Sequence, residues 1–259
     1  IFQPAEEGHG GATAMIQDGV LHNVEKIYGL HLWNYQSYGE VGVMPGPVLA
    51  ATSEFEIIID GKGGHGATPQ GTSDAVVIAA HVVTALQSIV SRNLDPLDSG
   101  VITVGAISAG SNYNIIAQTA RLIGTIRSYK EITHQLLVER LRAIATGIAG
   151  SLGAKAHIQI KDGYPPTVNH PTLSATVEKG ARYLGASVGP PYLTMGGEDF
   201  SFYGQHVPAC FFFIGSRPSG REPLSIPHHC SHFDIEENAL LVGTSLFLAI
   251  LGEEGLIHR

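Results

Sequence analysis

Two adjacent carboxylates open the chemistry of this chain. Glu6-Glu7 sits where an extended segment gives way to a glycine-rich loop carrying Gly8, Gly10 and Gly11. Neighbouring carboxylates raise each other's pKa unless a cation neutralises them. A metal site resolves the conflict, with one Glu as ligand and the other as base toward water. An acidic pair placed before a helix, favoured by the helix dipole, is the other reading. His31 lies in the apolar run Tyr28-Gly29-Leu30-His31-Leu32-Trp33. It is either a hydrogen-bonded core residue or a neutral imidazole ligand. The densest group of ligand-type side chains is His228-His229-Cys230-Ser231-His232, followed by Phe233-Asp234. His and Cys suit metals of the zinc class. No CxxC partner accompanies the group, so it is not a finger, and ligands scattered along the chain fit a catalytic centre assembled by the fold.

Three further positions can meet a ligand. Gly61-Lys62-Gly63-Gly64-His65-Gly66 lacks both the GK[ST] ending of a phosphate loop and dinucleotide spacing. Its glycines place His65 on an exposed loop. Asn114 is a second candidate. Arg127, at the end of a predicted strand, can grip a carboxylate through two parallel hydrogen bonds or serve as a surface ion-pair partner.

The elements that must position these residues are legible from periodicity. The expected first segment, residues 1–50, has a short helix near 11–19 and strands near 26–33 and 40–44, and Pro45-Gly46-Pro47 reads as punctuation. Residues 51–162 run strand 54–60, helix 74–90, strands 100–107 and 119–127, helix 131–152 and strand 157–161. In the fourth of these, Ala120, Leu122, Gly124 and Ile126 share one face. Leu137, Leu141, Ile144 and Ile148 recur at helical spacing. The order β-α-β-β-α-β is the ferredoxin-like pattern. Residues 163–259 open on Gly163-Tyr164-Pro165-Pro166 and continue with a helix near 171–184, a strand over 209–214 and a helix near 236–251. The simplest architecture is one α/β domain interrupted by the ferredoxin-like insertion.

Composition bounds the partners. The chain has 259 residues, 44% hydrophobic and 15% charged, which excludes a disordered chain. Net charge is −8 with no basic run, so nucleic acid is not an expected partner. No continuous apolar run reaches about 18 residues, so no membrane partner is expected. Only Cys210 and Cys230 are present, which gives no disulfide framework and an expected cytoplasmic location. The opening Ile1-Phe2-Gln3-Pro4 reads as the end of a strand, so a longer chain is expected. Eight histidines (His9, His22, His81, His134, His157, His170, His206 and His258) are expected to be structural or on the surface.

Together these segments resemble the dinuclear metallopeptidases that include hippurate hydrolases, N-acyl-amino-acid amidohydrolases, aminoacylase-like carboxypeptidases and auxin-conjugate hydrolases. The matching motifs are Phe2-Gln3-Pro4-Ala5-Glu6-Glu7, Gly29-Leu30-His31, Gly63-Gly64-His65-Gly66-Ala67-Thr68-Pro69, Asn114-Ile115-Ile116, Gly124-Thr125-Ile126-Arg127, Met195-Gly196-Gly197-Glu198-Asp199-Phe200, and His229 before Phe233-Asp234. They occur in family order from end to end, and the ordered set is far more specific than any one motif. The resemblance implies a zinc-peptidase-like α/β catalytic domain interrupted by a ferredoxin-like lid and dimerisation domain. It implies Glu6 as general base, and Glu7, His31 and His229 as ligands of two divalent ions, zinc or manganese. It implies that His65 steadies an oxyanion in the partner subunit's site, that Asn114 and Arg127 bind the substrate carboxylate, and that Gly196 and Gly197 wall the substrate pocket. The remaining ligands would come from an upstream Cys-Gly-His-Asp-type motif that these residues do not include. Ala117-Gln118 stands where the family more often has Pro-Asp, and Cys230-Ser231 where it has a residue followed by Pro. The expected activity is hydrolysis of N-acyl amino acids by a homodimer. The alternatives are a dipeptidase or carboxypeptidase on short peptides, and an inactive dimerising binding protein.

Overall fold

The computed structural model describes residues 1–8 and 10–257; the expectations for His9 and His258 lie outside the described residues. The first elements are α1 (Ala12–Gln17), β1 (Ile27–Ser37), β2 (Glu40–Gly42) and β3 (Gly46–Leu49). Next come β4 (Ala51–Asp60), β5 (Gly64–His65), α2 (Ala75–Arg92), β6 (Gly100–Ala109), β7 (Ile115–Ile116), β8 (Thr119–Ser128), α3 (Glu131–Ser151) and β9 (Lys155–Asp162). The chain ends with β10 (Thr167–Asn169), α4 (Pro171–Tyr183), β11 (Ser187–Gly189), a 3-10 helix (Asp199–Gln205), β12 (Ala209–Arg217) and α5 (Ala239–Glu253).

It divides into two compact units. One comprises Ile1–Leu49, Thr167–Thr194 and the chain from Glu198 onward; the other comprises Ala50–Pro166 with Met195–Gly197.

In the first unit, the four-stranded sheet has the order β1-β12-β2-β11. β12 is buried at eight of its nine positions, from Ala209 to Ser216. That is the pattern of a central strand covered on both faces. One face packs with α4 and α5 through Phe212, Ile214, Val177, Leu246 and Ile250. The other carries Trp33, Phe200, Tyr203, Phe211 and Phe213. β1 runs parallel to β12 with His31 opposite Phe213, which fixes the place of that histidine. Pro45-Gly46-Pro47 proves to be more than punctuation. Gly46–Leu49 forms β3 and pairs antiparallel with β10 in a separate two-stranded ribbon. Pro47 is tolerated because a two-stranded ribbon leaves one side of each strand without ladder bonds.

The second unit is the four-stranded antiparallel sheet β6-β8-β4-β9 with α2 and α3 packed against it. This strand order, with the β-α-β-β-α-β connectivity, is the ferredoxin-like arrangement read from the sequence. Phe55, Ile57 and Ile59 of β4 meet Ile78, Val82, Leu86, Leu137 and Leu141 in the core. Asp74 caps α2, its side chain accepting from the Val76 N–H at 2.9 Å. Helix α2 is, by length and composition, apolar enough to cross a bilayer. Its buried face of Ala75, Ile78, Ala79, Val82, Leu86 and Ile89 belongs to this core, which accounts for part of that apolarity.

Candidate active site

The first unit gathers Glu6, Glu7, His31 and His229 with Glu198, expected only as part of the pocket-wall loop, and His228, seen only as a member of the histidine cluster. A cleft of about 760 Å³ is lined by Gln3, Glu6, His31, Glu198, Phe200 and Tyr203 among others. Glu6 holds its proton more tightly than an ordinary glutamate. Burial is the main cause, the negative charges of Asp199 and Glu7 add to it, and His229 opposes it. Glu198 is 6% exposed, and burial pushes its carboxyl up to about 8, with Glu6 and Asp199 contributing. Its Oε1 accepts from the Phe200 N–H at 3.1 Å, capping the 3-10 helix.

His31 Nδ1 lies 2.6 Å from the Leu32 carbonyl oxygen. A carbonyl cannot donate, so Nδ1 carries the proton and Nε2 keeps its lone pair. Burial holds this imidazole below the usual histidine range, so it is neutral near pH 7. Backbone support of one ring nitrogen while the other stays basic is the arrangement expected of a metal-ligating histidine.

His228 packs beside it, with ring centroids 5.2 Å from His31, 4.9 Å from Trp33 and 5.1 Å from Tyr35. Burial and the neighbouring His31 and His229 push it down to about 4. Its Nε2 is a buried polar atom with no hydrogen-bond partner. Ala5 and His229, flanking or bearing the predicted chemistry, both have left-handed backbones, φ 61° and 65°. Non-glycine residues persist there only where surrounding contacts hold them.

The donors fit a divalent ion of the zinc class in chemistry: a neutral imidazole with a free lone pair, a second imidazole and a carboxylate. They share an electrostatic environment, since Glu7 and His229 both act on His31. Among the described residues, however, no group of three or more His, Cys, Asp or Glu side chains is close enough to hold an ion. Glu7 sits on the loop before α1, His31 on a strand and His229 in a turn, so each approaches from a different element.

In the second unit, β5 pairs with β7, placing His65 opposite Ile115, and the Gly66 N–H donates to the Asn114 carbonyl at 2.8 Å. His65 and Asn114 are therefore neighbours. His65 is exposed, and its Nδ1 accepts from the Ala67 N–H at 3.1 Å. The proton of the neutral ring is thus on Nε2, which makes His65 a donor. Arg127 is half-buried near the far end of β8, its Nη1 donating to the Ile126 carbonyl at 3.1 Å. Burial lowers its pKa, though it stays charged at neutral pH.

Asn114 and Arg127, the expected carboxylate binders, stand apart along the chain's own second unit. Asn114 lies before Thr119, and Arg127 lies eight residues beyond Thr119 on the same strand. At about 3.3 Å per residue, Arg127 stands about 26 Å along β8 from Thr119. Gly196 and Gly197 belong to the second unit: the Gly196 carbonyl accepts from the Ala50 N–H at 2.8 Å. A Cβ at Gly197 would lie 2.5 Å from the Thr52 methyl, so a side chain there would force Thr52 to move.

Glu198 and Asp199 were in view as part of a motif, and their acidic pairing, which repeats Glu6-Glu7, was the available signal for a role. His228 carried no signal separable from its histidine neighbours.

A family model described as peptidase family M20/M25/M40 matches residues 1–253. The IAA-amino acid hydrolase ILR1-like 4 of Arabidopsis thaliana is 38% identical over 255 residues, covering 95% of this chain and 57% of that protein. The N-acetyl-L-cysteine deacetylase of Bacillus subtilis (strain 168) is 37% identical over 241 residues, covering 93% of this chain and 56% of its own length. Among solved structures, the Bacillus subtilis YXEP protein, described as a dinuclear metal binding peptidase, matches with a TM-score of 0.82 at 30% identity. That match covers 98% of this chain and 64% of the YXEP chain. The present chain spans less than two thirds of each of these relatives.

Proposed function

We propose, because this chain belongs to peptidase family M20/M25/M40, that the whole protein is a metal-dependent amidohydrolase that releases an amino acid from an N-acyl amino acid. The observation that carries the reading is the site in the first unit, where a half-buried glutamate of raised proton affinity lines the same cleft as a histidine whose backbone bond leaves its ligating nitrogen free. Glu7, His31 and His229 would hold metal, with zinc and manganese the candidates and two ions the expected number. When bound, such ions polarise a carbonyl and make water more acidic. Glu6 takes the proton of the attacking water and returns it to the leaving amine. His65 donates its Nε2 proton to the developing oxyanion. Arg127 selects substrates with a free carboxylate.

The separation of Arg127 from His65 and Asn114 supports a homodimer. Two copies let Arg127 of one chain and the His65–Asn114 ribbon of the other serve one substrate. Strand β6 favours the same reading. It is an edge of its sheet, ten residues long, and bears no charge. Such an edge invites pairing with another strand. Val76 and Val77 of α2 are exposed as well.

A panel of N-acetyl and N-benzoyl amino acids, each with its carboxamide counterpart, tests the proposal. Hydrolysis of the free acids and not of the carboxamides is expected, with Arg127→Ala raising KM for the acids by about ten- to a hundredfold. Equal rates on acids and carboxamides in the unsubstituted protein would remove the carboxylate grip. A carboxypeptidase on short peptides is the second reading, and dipeptides in the same panel separate the two.

A further inference from the structure

We infer that Asp199 is a positioning residue that clamps the neck of the loop bearing Glu6 and Glu7. The inference deepens the roles proposed above for those two glutamates.

Asp199 is fully buried. Its Oδ1 and Oδ2 accept from Gln3 Nε2 at 2.6 and 2.8 Å, and Oδ2 also accepts from the Ala12 N–H at 3.1 Å. Gln3 and Ala12 flank the loop on either side, so one carboxylate holds both of its ends. Gln3 is oriented in turn by the Tyr203 hydroxyl, which donates to its Oε1 at 2.8 Å. The neck is closed tightly: a Cβ at Gly11 would sit 2.1 Å from the Pro4 carbonyl oxygen, so only glycine fits. Inside the neck, the Ala5 carbonyl accepts from the Gly8 and Gly10 N–H groups at 3.1 and 3.0 Å. Ala5 itself is held in the left-handed region. A strained residue next to Glu6 needs an outside restraint, and the buried charge-assisted bonds of Asp199 supply one.

The clamp has a polarity that can be reversed. Asp199 only accepts, and the Gln3 amide nitrogen only donates. Asp199→Asn sets two amide groups against each other, and Gln3→Glu sets two carboxylates against each other. The double variant Gln3→Glu/Asp199→Asn restores the pair with donor and acceptor exchanged. The amide oxygen introduced at position 199 then remains for the Ala12 N–H, and the carboxylate introduced at position 3 still accepts from the Tyr203 hydroxyl.

Amide hydrogen exchange on the 259-residue chain tests the clamp directly. In Asp199→Asn the Gly8, Gly10 and Ala12 amides are expected to exchange about ten- to a hundredfold faster while β12 keeps its protection. The double variant should return to within about threefold of the unsubstituted chain. Unchanged loop exchange in Asp199→Asn, or a double variant no better protected than the single one, overturns the inference. If the single variant does not fold, recovery of fold and loop protection in the double variant supports the clamp, and failure to recover overturns it.

Zinc binding by equilibrium dialysis separates the clamp from the roles it serves. Asp199→Asn is expected to weaken zinc about ten- to a hundredfold, as loss of an outer partner does, and the double variant to restore it. Loop exchange that follows the clamp, with zinc binding indifferent to both Asp199→Asn and Glu7→Gln, supports the clamp and removes the metal role of Glu7.

Discussion

Glu6→Gln in the whole protein is expected to lower kcat on an N-acyl amino acid by about 10²–10⁴-fold, the range for loss of a positioned acid–base group. Gln keeps the size and hydrogen-bonding reach of Glu but cannot take a proton from water. Glu6 is suited to the task because burial, with Asp199 and Glu7 nearby, raises its proton affinity toward neutrality, where a base is most effective. Metal content should be unchanged, since the proposed ligands are Glu7, His31 and His229. KM should move little, because the interaction lost is one made in the transition state. A fall in kcat accompanied by loss of metal would instead make Glu6 a ligand. A kcat within about tenfold of the unsubstituted protein would place the base elsewhere.

The second large effect is one of stability against pH. Glu198 ordinarily titrates near 4.5 and in the folded chain near 8. The folded state therefore holds a proton that the unfolded state releases between these values. Its contribution to stability is complete below about pH 4.5, declines as pH rises, and is lost once pH passes about 8. Glu198→Gln keeps the oxygen that accepts from the Phe200 N–H and removes the ionisation. In metal-free protein, the variant and the parent should be similarly stable near pH 4.5. By about pH 9 the variant should be the more stable, by up to about 5 kcal/mol. Urea unfolding at the two pH values measures the difference directly. A gap that does not widen with pH would mean that Glu198 is solvated or paired with a cation.

Much of this fold was readable because local pattern and final burial agree. The apolar run of Ala209–Ile214 became the central strand β12, and the alternation at 119–127 became β8. The helix expected near 74–90 is α2, begun by the cap at Asp74. β3 escaped notice because Pro45-Gly46-Pro47 carries a local signal for a turn, while its strand character comes from pairing with β10, more than a hundred residues away.

The site was legible as residue types and hidden as relations. Glu6, His31 and His229 drew attention by chemistry and motif. Nothing local could show that Asp199 bonds to Gln3 across 196 residues, or that His31 turns its proton toward the Leu32 carbonyl. The places of Asn114 beside the His65 loop and of Arg127 near the far end of β8 were hidden in the same way.

Glu7, His31 and His229 are the proposed metal ligands. Zinc binding by the whole protein, measured by equilibrium dialysis followed by elemental analysis, tests this assignment. Bound zinc is expected, weakened by each of Glu7→Ala, His31→Ala and His229→Ala, with the three variants still folded. No zinc bound, or zinc bound equally by the parent and all three variants, would contradict it.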